Sequence, residues 1–235
     1  MDEIFRSGTL EMSSTPLEAV AAAPAWSDVV LNRVLVIVSI VLIMRQFLDL
    51  FRLTPPLLYS YSRSRGAEAL EQSLGMERAR NRIAINLILP FCVILDRFQA
   101  LHPAFLDTLP AFWGVPATIG LLIGYLILRA LCYLACGIRR YGTKAVHTVR
   151  HNLYNYMMLA LPILLLETAV LLLAHVPEEV STSVIRWTLS VLWAFATWRT
   201  GQILHAYCSG FSTFLYLCAL ELLPAAALVA VVVNF

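Results

Sequence analysis

The chain has 235 residues, of which 60% are hydrophobic and only 14% charged, and its mean hydropathy is +0.75. Soluble domains carry about 45–50% apolar and about 25% charged residues, so the composition excludes the soluble classes and specifies an all-α, polytopic transmembrane helix bundle. The formal net charge of +2 decides nothing by itself, because orientation follows where Lys and Arg cluster, not their sum.

Residues 1–27 read as a flexible N-terminal tail, rich in Ala, Ser, Thr and acid, without the basic start and apolar core of a cleaved signal peptide. Residues 28–235 read as a single transmembrane helical domain. Trp26 supplies an interfacial aromatic and Ser27-Asp28 an N-cap, and the first span is expected over Val29 to Leu48. The stretch 49–82 then turns polar. Pro55-Pro56 is expected to break any helix there, a further helix is expected from Ala67 to Arg80, and Arg52, Arg63, Arg65, Arg78, Arg80 and Arg82 mark an Arg-rich cytoplasmic loop suited to anionic lipid.

The second apolar run, Ile83 to Leu95, is about 20 Å long as a helix, short of the ~30 Å hydrocarbon core. Snorkelling by Arg80, Arg82 and Arg97 favours a full span with Pro90 inside over the alternative, a re-entrant segment. Gln99 to Pro116 reads as an outer loop with a short interfacial helix around Trp113. Ala117 to Cys136 is the third span, and Gly120 and Gly124 give it a small-xxx-small face suited to close helix approach. A basic segment follows, with Arg139, Arg140, Lys144 and Arg150. Leu153 to Ala174 is the fourth span, containing Pro162 and Glu167; Val184 to Trp198 is the fifth; Phe211 to Val233 is the sixth. The basic residues fall mostly on one side of this arrangement, which fits about six spans with both termini on the outer side of the membrane.

Three ionisable residues stand inside apolar runs, Arg129, Glu167 and Glu221. Counted from the inner boundaries of their spans, all three fall near the midplane, where a charge costs at least ~2.5–3.5 kcal/mol and seeks a partner. They are expected to form an intramembrane polar cluster in which Arg129 bridges the two acids. Such a cluster is either a clasp that fixes helix packing or a carboxylate pair able to carry protons. His147 and His151, at H-x-x-x-H spacing, lack a telling third ligand and read as a solvated face among basic residues; no metal site or cofactor is expected. Cys92, Cys132, Cys136, Cys208 and Cys218 lie in or beside apolar segments and read as buried thiols. Phosphate-binding, dinucleotide-binding, zinc-protease and serine-hydrolase motifs are all missing, and basic clusters beside spans are a topology signal, so neither an enzyme of those classes nor nucleic-acid binding is supported.

The ending from Phe214 to Pro224 carries the most specific pattern. Phe214, Leu215, Tyr216, Leu217, Cys218, Ala219, Leu220, Glu221 and Pro224 resemble the signature end of an uncharacterised integral inner-membrane family of Bacteroidota, a domain of unknown function. A looser similarity lies in L-A-L-P at Leu159 to Pro162, and the helix spacing extends the resemblance from about Arg45 to the C-terminus. The resemblance implies an all-helical protein of a bacterial inner membrane, its two outer termini then periplasmic, with no established activity; it covers Glu221 but not Glu167, and it supplies no catalytic residue. The expected role is that of a non-enzymatic interaction or assembly partner, as a homo-oligomer or with another protein. The alternative is a small proton-coupled transporter using the intramembrane carboxylates.

Overall fold

A computed structural model describes residues 26–62, 74–104, 106, 109–136 and 143–234, and every regular element among them is helical. A single 3-10 turn, Trp26–Asp28, leads into α1 (Val30–Ser62). Then follow α2 (Leu74–Arg97), a second 3-10 turn at Ala111–Trp113, α3 (Gly114–Ala135), α4 (Thr143–Leu173) and α5 (Glu178–His205). The last pass is built of α6 (Gly210–Leu217), a π-helical turn over Cys218–Leu222 and α7 (Leu223–Asn234). The expected tail falls almost wholly outside the described residues, as do residues 63–73 of the Arg-rich stretch.

Successive passes run in opposite directions, and side-chain bonds tie their ends into two groups. At one end Trp26 meets Asp96, and Arg97 meets Glu178. At the other Arg80 meets His151, and Asn152 meets Thr200. We refer to these as the Trp26 end and the Arg129 end.

Four passes are long and apolar enough to cross a membrane: Val30–Pro55, Gly114–Ala135, Thr148–Leu173 and Gly210–Val233. α2 and α5 do not meet that measure among the described residues, and for α2 its place in the bundle explains why. α2 lies in the middle, packed by α1, α3 and α4, and it buries Ile83, Leu87, Cys92 and Leu95 almost completely. A helix enclosed by protein needs no lipid-facing apolar surface, so its ends can carry Arg80, Asp96 and Arg97. α1 shows the opposite pattern. Its outward face presents Ile37, Val41, Met44, Phe47 and Phe51, an apolar exterior that water would not tolerate on this scale.

Two apolar clusters hold the bundle. The larger centres on α2, with Met158, Leu161 and Leu164 of α4 and Ile185 of α5 against it. The smaller, at the Arg129 end, joins Tyr133, Val149, Ile203, Leu204 and Leu220. Between helices already in lipid the gain comes from close packing, since lipid tails are as apolar as Leu.

Several expectations are corrected. The helix does not stop at Pro55-Pro56 but continues to Ser62, because the two missing N–H groups orphan only the Phe51 and Arg52 carbonyls one turn back, while Leu53 and Leu57 on either side are buried in the larger apolar cluster and hold the helix in place. The Arg-rich loop is correspondingly shorter, since 49–62 belong to α1 and 74–82 to α2. Arg80 does not snorkel; it is wholly buried. Gly120 and Gly124 are not a close-approach site among the described residues, since a Cβ on either would meet nothing within 4 Å there.

The helix ends at the Trp26 end are unusual. α2 closes with Gln99 N–H on the Asp96 carbonyl and Ala100 N–H on the Leu95 carbonyl; α4 closes with His175 N–H on Leu172 and Val176 N–H on Leu171. Both are Schellman motifs, whose left-handed position usually holds glycine. Here it holds Gln99 (φ 47°) and His175 (φ 49°). Across the following turn, Asp96 reaches the start of α3 and accepts from the Trp26 indole N–H at 2.7 Å and the Thr118 hydroxyl at 3.5 Å. Gly114 makes room, because a Cβ there would stand 2.6 Å and 2.9 Å from the two carboxylate oxygens. An acid at a helix N-terminus also complements the helix dipole.

Candidate functional site

Pro224 shapes the last pass. Without an N–H it cannot continue the i→i−4 ladder back to Leu220, and the chain responds one turn earlier by widening, with Leu223 N–H bonded to the Cys218 carbonyl five residues back. This π turn holds the sequence Cys-Ala-Leu-Glu-Leu and turns Leu220 and Glu221 inward, both buried. π turns within α-helices recur at functional sites. Of the other positions that carry the family resemblance, Phe214 and Leu215 face outward, Tyr216, Leu217, Cys218 and Ala219 are half-buried, and Pro224 is buried.

Glu221 meets Arg129 of α3 in a two-pronged contact. Nη2 donates to Oε1 at 2.5 Å and Nε to Oε2 at 3.2 Å, and the side chains retain 5% and 3% of their surface. Tyr133, one turn beyond Arg129 on the same face, donates its hydroxyl to Glu221 Oε1 at 3.3 Å and lies beneath the guanidinium, 5.0 Å from ring centroid to Cζ. The remaining Arg129 donors reach the carbonyls of Arg150 at 3.3 Å and Val149 at 3.5 Å. The planar fork of arginine matches a carboxylate in this way and lysine would not. Three passes are thereby fastened at one point, α3, α4 and the last.

Glu167 is not part of this cluster, which corrects the three-residue expectation. Its Oε1 accepts from the Thr188 hydroxyl of α5 at 2.8 Å, while Oε2 is buried with no hydrogen-bond partner. Arg129 lies level with Val149 and Arg150, so Glu167 stands seventeen residues further along α4, about 25 Å toward the Trp26 end. The ionisable groups therefore do not share one depth. The pairing of Arg129 with Glu221 follows from apolar context in the sequence; the error for Glu167 comes from counting its depth from the start of the apolar run, when α4 begins at Thr143 and Arg129 meets it at Val149 and Arg150.

Other buried polar groups surround the same end. Arg80 Nη2 donates to His151 Nδ1 at 2.8 Å, so His151 is a buried acceptor and not the solvated residue its basic neighbours suggested; the His147 side chain lies outside the described residues. Asn152 donates to the Ala196 carbonyl and Thr200 hydroxyl, both at 3.0 Å. Tyr133 escaped the sequence reading, although its i, i+4 placement relative to Arg129 is a signal that could have found it, and Arg80, expected as a snorkelling residue of the loop, is buried instead.

The cysteines are free; Cys92 is buried and the other four are half-buried, so the buried-thiol expectation holds only for the first. Desolvation pushes the Cys136 thiol up, helped by neighbouring Cys132, and pushes the Cys208 thiol up as well. Thiols held protonated are poor metal ligands and poor nucleophiles, and among the described residues no group of three His, Cys, Asp or Glu is arranged to hold a metal ion. The chain matches no protein-family model, no curated protein and no solved structure.

Proposed function

We propose that the chain is a six-pass protein of a bacterial inner membrane, related to the Bacteroidota family its ending resembles, and that it serves as a non-enzymatic partner in a membrane assembly. The Arg129–Glu221 contact carries this reading. Each carboxylate oxygen is bonded to the guanidinium, and the remaining Arg129 donors are taken up by Tyr133 and two backbone carbonyls. A charge pair satisfied by protein on every side fastens helices, whereas a proton relay needs a carboxylate that can exchange its partner.

Two further features support the reading. Glu167, the second acid a carboxylate relay would use, is remote from Glu221. The Gly120 and Gly124 face of α3 opens outward beside exposed Ile123 and Ile127, where a helix of another chain or of a second copy approaches most closely. α2, enclosed by protein, and α5, which turns Trp187, Val191, Phe195 and Trp198 outward, complete six passes, and the basic Arg129 end, with Arg52, Arg78, Arg82 and Arg150, faces the cytoplasm and its anionic lipid.

Mild solubilisation from the native membrane followed by purification tests the role. A stoichiometric, salt-resistant protein partner is expected. An isolated chain or homo-oligomer that drives proton-coupled uptake in proteoliposomes, with uptake abolished by Glu221→Gln, establishes the transporter alternative instead. Reporter fusions at Lys144 and Asp107 are expected to show cytoplasm and periplasm respectively; cytoplasm at Asp107 removes α2 as a span.

A further inference from the structure

A depression of about 840 Å³ lies at the Trp26 end, between the ends of α2 and α4 and the start of α5. Both left-handed non-glycine residues of the described chain, Gln99 and His175, line it. Each occupies a position where glycine costs nothing and a side chain costs about 1 kcal/mol or more. Neither side chain is needed to close its helix, because the Schellman bonds use only backbone. Strain kept at two separate turns that converge on one pocket points to a role for the pocket.

The charges on its wall have a pattern. Arg186 donates to the Gln99 carbonyl at 2.9 Å and has no acidic partner among the described residues. Glu179, two turns earlier on the same face of α5, likewise has no cationic partner among them. They are about 10 Å apart along the axis. Arg97 and Glu178 add a second cation and a second anion, paired at 3.1 Å and open to solvent, with the Arg97 guanidinium over the Trp26 ring. A smaller depression of about 250 Å³ shares Glu179, Thr182 and Arg186 and continues down α5 to Trp187 and Ser190. Trp187 is 70% exposed, on the flank where the apolar exterior begins.

From this arrangement we propose that the pocket binds a zwitterion carrying a phosphate and an ammonium group, the chemistry of a phosphoethanolamine headgroup. The phosphate lies against Arg186 and Arg97, and the ammonium against Glu179 and Glu178. The groove past Trp187 leads an acyl chain from the headgroup to the lipid-facing side of α5. The proposal rests on the membrane placement above but not on the assembly role.

The full chain, purified in detergent, is tested by native mass spectrometry against short-chain phosphatidylethanolamine, short-chain phosphatidylglycerol and free phosphoethanolamine. Phosphatidylethanolamine is expected to be retained about tenfold better than phosphatidylglycerol, a difference of one ion-pair contact. Arg186→Gln, an exposed change, is expected to lower retention of both lipids, and the E178Q/E179Q double variant to reverse the preference toward phosphatidylglycerol. Gln99→Gly with His175→Gly is expected to leave the melting temperature unchanged or raised while retention falls. Free phosphoethanolamine binding as well as the lipid identifies a soluble zwitterion as the ligand; weaker binding identifies the lipid. Equal retention of the two lipids by the wild-type chain, or an E178Q/E179Q variant with unchanged preference, overturns the proposal. Release of the chain from membranes by alkaline carbonate would instead overturn the membrane placement, so the two failures are distinct.

Discussion

Glu221→Gln is the most direct probe of the clasp. The amide keeps one oxygen for Arg129 but replaces the other with an N–H₂ facing a guanidinium donor, and it removes the only counter-charge within 4 Å of Arg129 among the described residues. Leaving one buried charge without its partner costs about 3–5 kcal/mol. For a chain of this length each kcal/mol moves the melting temperature by about 2–4 °C, which predicts a fall of about 10 °C. Two controls set the scale. Tyr133→Phe deletes one hydroxyl and is expected to cost about 1 kcal/mol, and the double variant Arg129→Met, Glu221→Gln is expected to recover most of the loss, because no charge is left buried. The assay is the temperature at which the detergent-solubilised chain loses its monodisperse peak on size exclusion. A Glu221→Gln chain that melts with the wild type, or a double variant no better than the single, refutes the clasp.

Gly114→Ala is expected to be destabilising by about 1–3 kcal/mol, since the new methyl lands on the Asp96 carboxylate, and the same melt detects it. Glu167→Gln should cost no more than about 1 kcal/mol, because Thr188 can still donate to the amide oxygen; a loss as large as that of Glu221→Gln would show that Glu167 has a charged partner after all. Cys208, with its thiol pushed up by desolvation, is expected to react with iodoacetamide at pH 8 more slowly than a free thiol. Its rate should climb as pH rises through the raised value, and a plateau below pH 8 would contradict that.

What the sequence revealed depended on contrast. Arg129 and Glu221 were readable because a charge in an apolar run has few ways to be satisfied, and a cation and an acid at compatible depths select each other. Hydropathy was a poor guide to helix ends. α4 starts ten residues before its apolar run and α1 continues fourteen past its own, since a helix may leave the apolar zone without ceasing to be a helix. That shift moved Glu167 to the wrong level. Pro55-Pro56 misled for a related reason, because local propensity yields where the remaining backbone bonds and packing suffice. The pocket at the Trp26 end had no signature in the sequence. Its residues come from α2, α4, α5 and the first 3-10 turn, and the left-handed backbone at Gln99 and His175 leaves no mark in residue types that elsewhere are ordinary.

The π turn sets the angular phase of everything after it. One extra residue in a helical turn rotates the following segment by about 100° relative to an uninterrupted α-helix. Leu220 therefore packs into the smaller apolar cluster, while Ala225 and Leu228, beyond the turn, lie against the larger one. A regular helix through this stretch would have to give up one of the two. Deleting a single residue between Cys218 and Leu222 would straighten the pass and swing the hydrophobic seam of α7 away from the bundle, whereas an apolar exchange at Leu222, which faces outward, preserves the phase. The length of this short stretch, more than its composition, is what the last pass must keep.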